Sequence, residues 1–494
     1  MKILLTNPPW TVNGRNGVRA GSRWPHLKIP EEEGYMPFPF FLSYATSLLK
    51  KNSFEVKGLD AIAKRMTYEE FYIYIKSYNP DIIFLEVSTP SLNQDLKLIN
   101  EIKSFSKAKI IIAGPDMNIF DEKFMLENKN IEYAIIGEYE FTLLELLHKI
   151  KENKSLKDVL GLLHRSKDKI IITKRRPLEK DMSMYPWPDR TDFNISNYHD
   201  CPGGIPSPSA QIIGSRGCPY LCTFCVWPQL VYGGRNYRPR PVSDIVDEME
   251  YLVNELGVKS VYFDDDTFNI GRKRMIELAN ELKKRNWRTP WAFMGRSDLV
   301  DEEILTRFKE VGLSAVKYGV ESGVQEIVDS AEKNLNLKVA SKNMLLTKKL
   351  GIKMHLTFTL GLPGETRETI KETINYALFH DPESVQFSIM TPFPGTKFYD
   401  LLNEKGMIVS TNFDNYDGNT RSVIRTEKLS PKELTNAQKY AYHMWHNHKI
   451  KKIRYKKNSP FKLFIRCLRE HDLLYTVKHT LRYLKKKSYN EYKS

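Results

Sequence analysis

Residues 214–225, GSRGCPYLCTFC, set Cys218, Cys222 and Cys225 in a C-x3-C-x2-C triplet just after the apolar run AQIIGSR, which reads as the first strand of a βα repeat. Three thiolates hold three irons of a cubane [4Fe–4S] cluster, and because such clusters usually take four cysteines, the fourth iron is left open to a substrate or cofactor. An open iron means chemistry rather than simple electron carriage. The competing readings are a structural zinc or a disulfide. Zinc ligands usually come as paired C-x2-C knuckles or with nearby histidines, and neither accompanies this triplet. Cys201, before a Pro-Gly-Gly turn, and Cys467, in a basic helical pattern, stand apart and read as small buried or incidental thiols.

Downstream of the triplet, βα alternation recurs between about residues 210 and 396. Its strand candidates are AQIIGSR, SVYFDDD, WAFMGRS, AVKYGVE, MHLTFTL and SVQFSIM, interleaved with amphipathic stretches such as SDIVDEMEYLVNEL. Six units make a partial (βα)6 barrel of the TIM type, whose reactive end is the carboxyl end of its strands. Polar and glycine-rich segments collect at that end. Asp264-Asp265-Asp266-Thr267-Phe268 follows the second strand, and Arg296 ends the third, where a guanidinium fork suits a carboxylate. Gly319-Val320-Glu321-Ser322-Gly323 ends the fourth, GLPGET with Gly361 and Gly364 the fifth, and TPFPGT the sixth. Taken singly, each also reads as a solvated turn, a helix cap or a surface ion pair.

The triplet, with Phe224 directly before its third cysteine, resembles the signature of the radical S-adenosylmethionine (SAM) superfamily, and the succession of strand-end segments resembles that family's core. The resemblance implies a [4Fe–4S] cluster on Cys218, Cys222 and Cys225 whose open iron chelates SAM. One electron, from a donor such as ferredoxin or flavodoxin, then yields a 5′-deoxyadenosyl radical. It further implies that Asp265 or Asp266 receives the SAM amino group, that Glu321 and Ser322 contact the ribose or the methionyl carboxylate, and that Gly361 lets the backbone approach the adenine.

Upstream, residues 1–150 alternate short apolar runs (KILLT, FEVKGLD, DIIFLEV, KIIIAG, EYAII) with helical patterns, as a doubly wound, Rossmann-like parallel sheet does. Ligands of such sheets bind outside the strands' carboxyl ends. The segments there are NPPW at Asn7, EVSTPS at 86–91, AGPDMN around Gly114 and IIGEYE around Gly137. In that order they resemble the cobalamin-binding domain that precedes many radical SAM cores, in the group that includes anaerobic magnesium-protoporphyrin cyclase and hopanoid-associated enzymes. The resemblance implies that Gly114 and Gly137 let backbone approach a corrinoid nucleotide tail and that Ser88 and Thr89 hydrogen-bond it. Glycines after strands are also ordinary turn residues. The D-x-H-x-x-G string that places a histidine on cobalt is absent, and His26, in GSRWPHLKIP, reads as a loop residue. Cobalamin is then held without a protein histidine on the metal, or the domain binds none.

Residues 151–205 read as a connector, with a small hairpin (VLGLLHR, KIIITKRR) and the Pro-rich MSMYPWPDRTDF; the core spans 206–400 and a helical extension 401–494. The net charge of +15 is uneven: residues 446–494 hold fifteen Lys/Arg against three Asp/Glu, so the body is near neutral. In the tail, Phe461, Phe464, Leu468, Leu474, Val477, Leu481 and Leu484 recur at helical spacing among basic residues. That composition fits an interfacial membrane helix or a packed helix with a solvated basic face. Nucleic acid ranks below both. No apolar run reaches the length of a membrane span, and the cysteine usage fits a reducing, cytoplasmic compartment. Together these readings imply an enzyme that functionalises an unactivated carbon, by cobalamin-dependent methylation of a small-molecule substrate, with the tail and the hopanoid resemblance tilting it towards a hydrophobic, lipid-like one. Cyclisation, rearrangement or C–C coupling without methyl transfer stays open, whereas an iron–sulfur sensor would need a partner-binding domain in place of the barrel.

Overall fold

The computed structural model describes residues 1–20, 23–28, 35–114, 119–166 and 169–455. Ten strands come first: β1 (Lys2–Asn7), β2 (Thr11–Val12), β3 (Arg15–Ala20), β4 (Arg23–Lys28), β5 (Glu55–Asp60), β6 (Ile82–Glu86), β7 (Lys109–Ala113), β8 (Tyr133–Ile135), β9 (Leu162–Ser166) and β10 (Lys169–Ile172). Seven of them form one sheet in the order β10-β9-β8-β7-β6-β1-β5, parallel from β8 to β5. The apolar runs are unbroken because helices cover both faces: every residue of β6 is buried, as a central parallel strand requires. The covering helices begin and end on local signals. Thr67 and Glu70 close a capping box on the helix Tyr68–Tyr78, and Asn79 ends it in the left-handed conformation.

Two segments differ from the sequence reading. The hairpin of the connector is the antiparallel edge of this sheet, Leu162, Leu163 and His164 pairing with Ile135, Ala134 and Tyr133. The stretch around His26 is not a loop. It is strand β4 of an antiparallel β2-β3-β4 unit, with a register shift between Val18 and Ala20, and His26 stacks on Tyr35. Cross-strand pairing outweighs the weak local β signal of this Gly- and Pro-containing segment.

The second sheet comprises β11 (Ser209–Ile212), β14 (Ser260–Phe263), β15 (Trp291–Gly295), β16 (Leu313–Glu321), β17 (Lys353–Leu360) and β18 (Ser384–Ile389), all parallel and paired in that order into a curled half-barrel. Between β11 and β14 lies the short pair β12 (Ser215–Arg216) and β13 (Arg238–Pro239). Outward side chains such as Phe263, Phe293, Val316, Tyr318, Leu356 and Phe358 join the helices in the larger core. Below the strands' amino ends sits the turn Pro202–Gly204, where a Cβ on Gly203 would lie 2.8 Å from Ala315 Cβ, so the connector closes the barrel floor.

The two sheets are locked together. Arg216 of β12 is 1 % exposed, lies 2.7 Å from Glu140 and 3.6 Å from Glu138, and is enclosed by the rings of Phe41, Tyr44 and Tyr185. Arg238 of β13 also bonds Glu138, and the Phe38 N–H donates to Gln211 of β11. No described helix is long and apolar enough to cross a membrane. The apolar stripe expected at 461–484 lies outside the described residues, as does Cys467.

Candidate active site

The loop after β11 and β12 carries Cys218, Cys222 and Cys225, each partly covered and none in a disulfide. The loop turns at Gly217, whose φ of +92° and contact with the Asn236 side chain exclude any larger residue. The Cys222 carbonyl accepts from the Cys225 N–H at 3.0 Å. One side chain organises the rest: Gln229 Nε2 donates to the carbonyls of Cys222 (2.9 Å), Thr223 (2.9 Å) and Cys225 (3.0 Å), while its Oε1 accepts from Lys397 N (2.8 Å). Phe398 N donates to Thr223 O, so the start of the helix Lys397–Glu404, which follows the sixth strand, is stitched to the cysteine loop.

Burial pushes all three thiols up, and Cys225 is raised further by its two neighbours. Thr267 lies 3.4 Å from Cys218 Sγ and offsets part of its rise; the Lys333 ammonium does the same at Cys222. Among the described residues no three His, Cys, Asp or Glu side chains converge on a single ion. A cubane takes one thiolate per iron, and three partly covered thiols carried on one tied loop suit that demand, with the irons then supplying the charge that would stabilise the thiolates.

The acidic run after β14 supports this loop. Asp265, fully buried, accepts from the Gly214 N–H and the Ser215 hydroxyl, and burial raises its carboxyl to about 6 against those two bonds. Asp266 accepts from Gly217 N (3.1 Å) and the Tyr232 hydroxyl (2.8 Å). Asp264 accepts from Tyr262. Arg296 is equally engaged: its fork bonds Asp298 and the carbonyls of Lys333 and Asn334, and its plane lies 3.8 Å from the Tyr220 ring centre. These groups hold the walls of the site.

At the end of β16, Glu321 takes a left-handed conformation (φ +69°) beside a register shift, and its carboxylate accepts from Lys333 Nζ (2.9 Å) and Thr359 Oγ1 (2.8 Å). Ser322 turns to the outside of the barrel, where its hydroxyl meets Thr373 at 2.9 Å. Gly361 gives its N–H to Glu365, whose carboxyl burial raises to about 8. Glu321, Lys333 and Cys222 thus face one another, while Asp265, Arg296 and Ser322 act one layer behind. Lys333 and Gln229 carry no sequence signal: Lys333 follows a short helix and Gln229 belongs to a π-helical turn, Trp227–Val231.

On the first sheet's carboxyl edge, Gly114 is pressed against the Val87 carbonyl and admits no Cβ, and Gly137 (φ +85°) lies beside Arg175. Ser88 and the buried Thr89 open a short turn, but the Ser88 hydroxyl meets Ser91 (2.9 Å) and Arg19 (3.4 Å). Arg19, from β3, pairs with Asp95 at 3.0 Å and donates to Asn7 at 2.7 Å. The antiparallel unit therefore plants a buried guanidinium at the ends of β1 and β6, a contact that local sequence pattern does not reveal.

The family profile of the radical SAM superfamily matches residues 212–377. An uncharacterised methyltransferase of Pyrococcus horikoshii is 26 % identical over 90 % of this chain and 92 % of its own length. The anaerobic magnesium-protoporphyrin IX monomethyl ester cyclase of Cereibacter sphaeroides is 26 % identical over 89 % of this chain and 68 % of its own. In fold, the chain is similar to the radical SAM methyltransferase TsrM of Kitasatospora setae, solved with cobalamin and a [4Fe–4S] cluster. The TM-score is 0.62 at 20 % identity, over 82 % of this chain and 75 % of that one.

Proposed function

From the premise that the chain carries a radical SAM domain, we propose that it is a cobalamin-dependent methyltransferase in which Cys218, Cys222 and Cys225 hold the [4Fe–4S] cluster, SAM binds beside them, and cobalamin lies between the two sheets. The cluster and SAM supply a carbon-centred oxidant for hydrogen abstraction, and a corrinoid supplies the methyl group. The observation that supports this most is the placement of the cysteine loop: it leaves the carboxyl end of the first barrel strand and is clamped, through Arg216 and Arg238, to the Glu138–Glu140 segment at the carboxyl edge of the Rossmann-like sheet. A cofactor on that edge faces the cluster loop.

The chain's own residues do the positioning. Asp265 and Asp266 fix the strand-to-loop corner, Gln229 fixes the loop carbonyls, and Glu321 and Lys333 present an acceptor and a donor to a SAM molecule beside Cys222. Gly114 and Gly137 shape the cobalamin edge. A low-potential carrier such as ferredoxin or flavodoxin serves as the electron donor. A lipid-like substrate and a membrane-facing tail draw their support from residues 446–494, most of which lie outside the described part. The decisive experiment is anaerobic reconstitution of the full chain with iron, sulfide and hydroxocobalamin. Dithionite and SAM should then give 5′-deoxyadenosine, and the protein should retain corrinoid through gel filtration. A reconstituted protein that cleaves no SAM refutes the enzyme assignment, and one that cleaves SAM but retains no corrinoid refutes the cobalamin part.

A further inference from the structure

The inner wall of the half-barrel is hydrophilic along its last three strands. β17 and β18 alternate strictly between half-buried and buried residues. Met354, Leu356, Phe358 and Leu360, with Val385, Phe387 and Ile389, belong to the core shared with the helices, so Lys353, His355, Thr357 and Thr359, with Ser384, Gln386 and Ser388, face the lumen. The pairing register arranges these into layers. Lys317, His355 and Ser384 lie side by side, Gly319, Thr357 and Gln386 form the next layer, and Thr359 and Ser388 the one nearest Glu321. A packed barrel core carries bulky branched residues at such positions; this one carries hydroxyls, an amide, an imidazole and an ammonium.

Among the described residues, two nitrogens at the bottom of this wall, Lys317 Nζ and His355 Nε2, have no hydrogen-bond partner. Lys317 is 7 % exposed; Asp200 stands 3.8 Å from its Nζ, too far to satisfy an N–H, while the rings of Tyr35 and Tyr262 flank it. Beside it, His355 Nδ1 meets the Ser384 hydroxyl at 2.8 Å and Nε2 has no partner. With Ser384 donating to Nδ1, the imidazole presents an N–H at Nε2. From Lys317 to Glu321 the strand rises about 13 Å at roughly 3.3 Å per residue, the length of a small metabolite.

We propose that this wall is the substrate surface, and that Lys317 and His355 receive the acidic group, carboxylate or phosphate, of a water-soluble small molecule whose reacting carbon lies towards Glu321 and the cysteine loop. The inference rests on the enzyme reading above and replaces a lipid by a polar, anionic substrate. The test is calorimetric titration of the reconstituted full-length enzyme with SAM, using sodium acetate and inorganic phosphate in parallel at constant ionic strength. Saturable binding of one of them is expected. Lys317→Met and His355→Gln should each weaken it at least tenfold, Lys317→Arg should retain it, and the surface variant Lys349→Met should match wild type. Circular dichroism checks the fold of each variant, and His355→Gln carries the test should Lys317→Met misfold. Absence of saturable binding of either anion, or binding unchanged by Lys317→Met, overturns the proposal. The wild-type sample is assayed for 5′-deoxyadenosine as well: SAM cleavage without anion binding defeats this inference alone, whereas no cleavage defeats the underlying reading.

Discussion

Burial raises the thiols of Cys218, Cys222 and Cys225, which favours their protonated form in the absence of a metal, and under the proposed function iron would displace those protons. Replacing any one by alanine should remove most of the iron bound after reconstitution and abolish 5′-deoxyadenosine formation, while circular dichroism stays at wild type; iron content retained in the triple variant would refute the ligand set. Glu365 gives a second prediction at this scale. Burial, against the N–H groups of Gly361 and Leu362, raises its carboxyl from 4.5 to about 8. The unfolded chain therefore loses this proton at lower pH than the native one, and the native state is progressively penalised as pH rises from about 4.5 to 8. Glu365→Gln keeps the acceptor for Gly361 and removes the titration. The stability difference between variant and wild type should thus move in the variant's favour across that interval, measured by urea unfolding. A pH-independent difference would mean that Glu365 is ionised throughout. The proposed ligand role of the cysteines rests on their spacing along the chain, which the sequence displays directly. The contacts that Asp265 and Arg296 make in the fold do not show there, because a carboxylate or guanidinium at a strand end reads the same whether it meets a ligand or a neighbouring backbone.

All six barrel strands could be read as elements from their apolar runs, since each must bury one face against helices, and β17 and β18 even display their lumen face as alternating polar residues. What escaped were elements stabilised by distant partners: β2 to β4, held by pairing and by Arg19, and the turn Trp227–Val231, held by Gln229 and the Arg175 side chain. Gln229 is the joint between the cysteine loop and the sixth-strand exit. Gln229→Leu has similar bulk and leaves three carbonyls and the Lys397 N–H without this partner, a loss of about 1–3 kcal/mol if they are not resolvated. The reconstituted variant should release iron to a ferrous chelator about tenfold faster than wild type, a change of about 1.4 kcal/mol in barrier. Equal release rates would show that the cysteines alone fix the loop.

Across the whole molecule, the two sheets meet through charges withdrawn from water. Glu140 is fully buried and Glu138 nearly so; Glu138 is held ionised, against the cost of burial, by Arg238 and Arg216. Arg216 in turn stays charged despite burial because Glu140, Tyr185 and Glu138 surround it. Such a network adds little net stability compared with an apolar contact, but removing one member strands the others in low dielectric. Its position gives it a second consequence, because Arg216 is two residues before Cys218 and Glu138 follows Gly137, so the clamp sets the cysteine loop against the carboxyl edge of the first sheet. Arg216→Met, which retains much of the side chain's length, should cost about 3–5 kcal/mol by leaving Glu140 without its counter-charge. Thermal unfolding should split into two transitions, and the part of the connector after the hairpin, residues 173–205, should become open to protease. Adding Glu140→Gln should restore a large part of the loss, since the stranded charge is then gone. If Arg216→Met melts in one transition at the wild-type temperature, the two units are held by the apolar contacts of Phe41, Tyr44 and Trp227 alone, and the clamp has no part in presenting the first sheet to the cysteine loop.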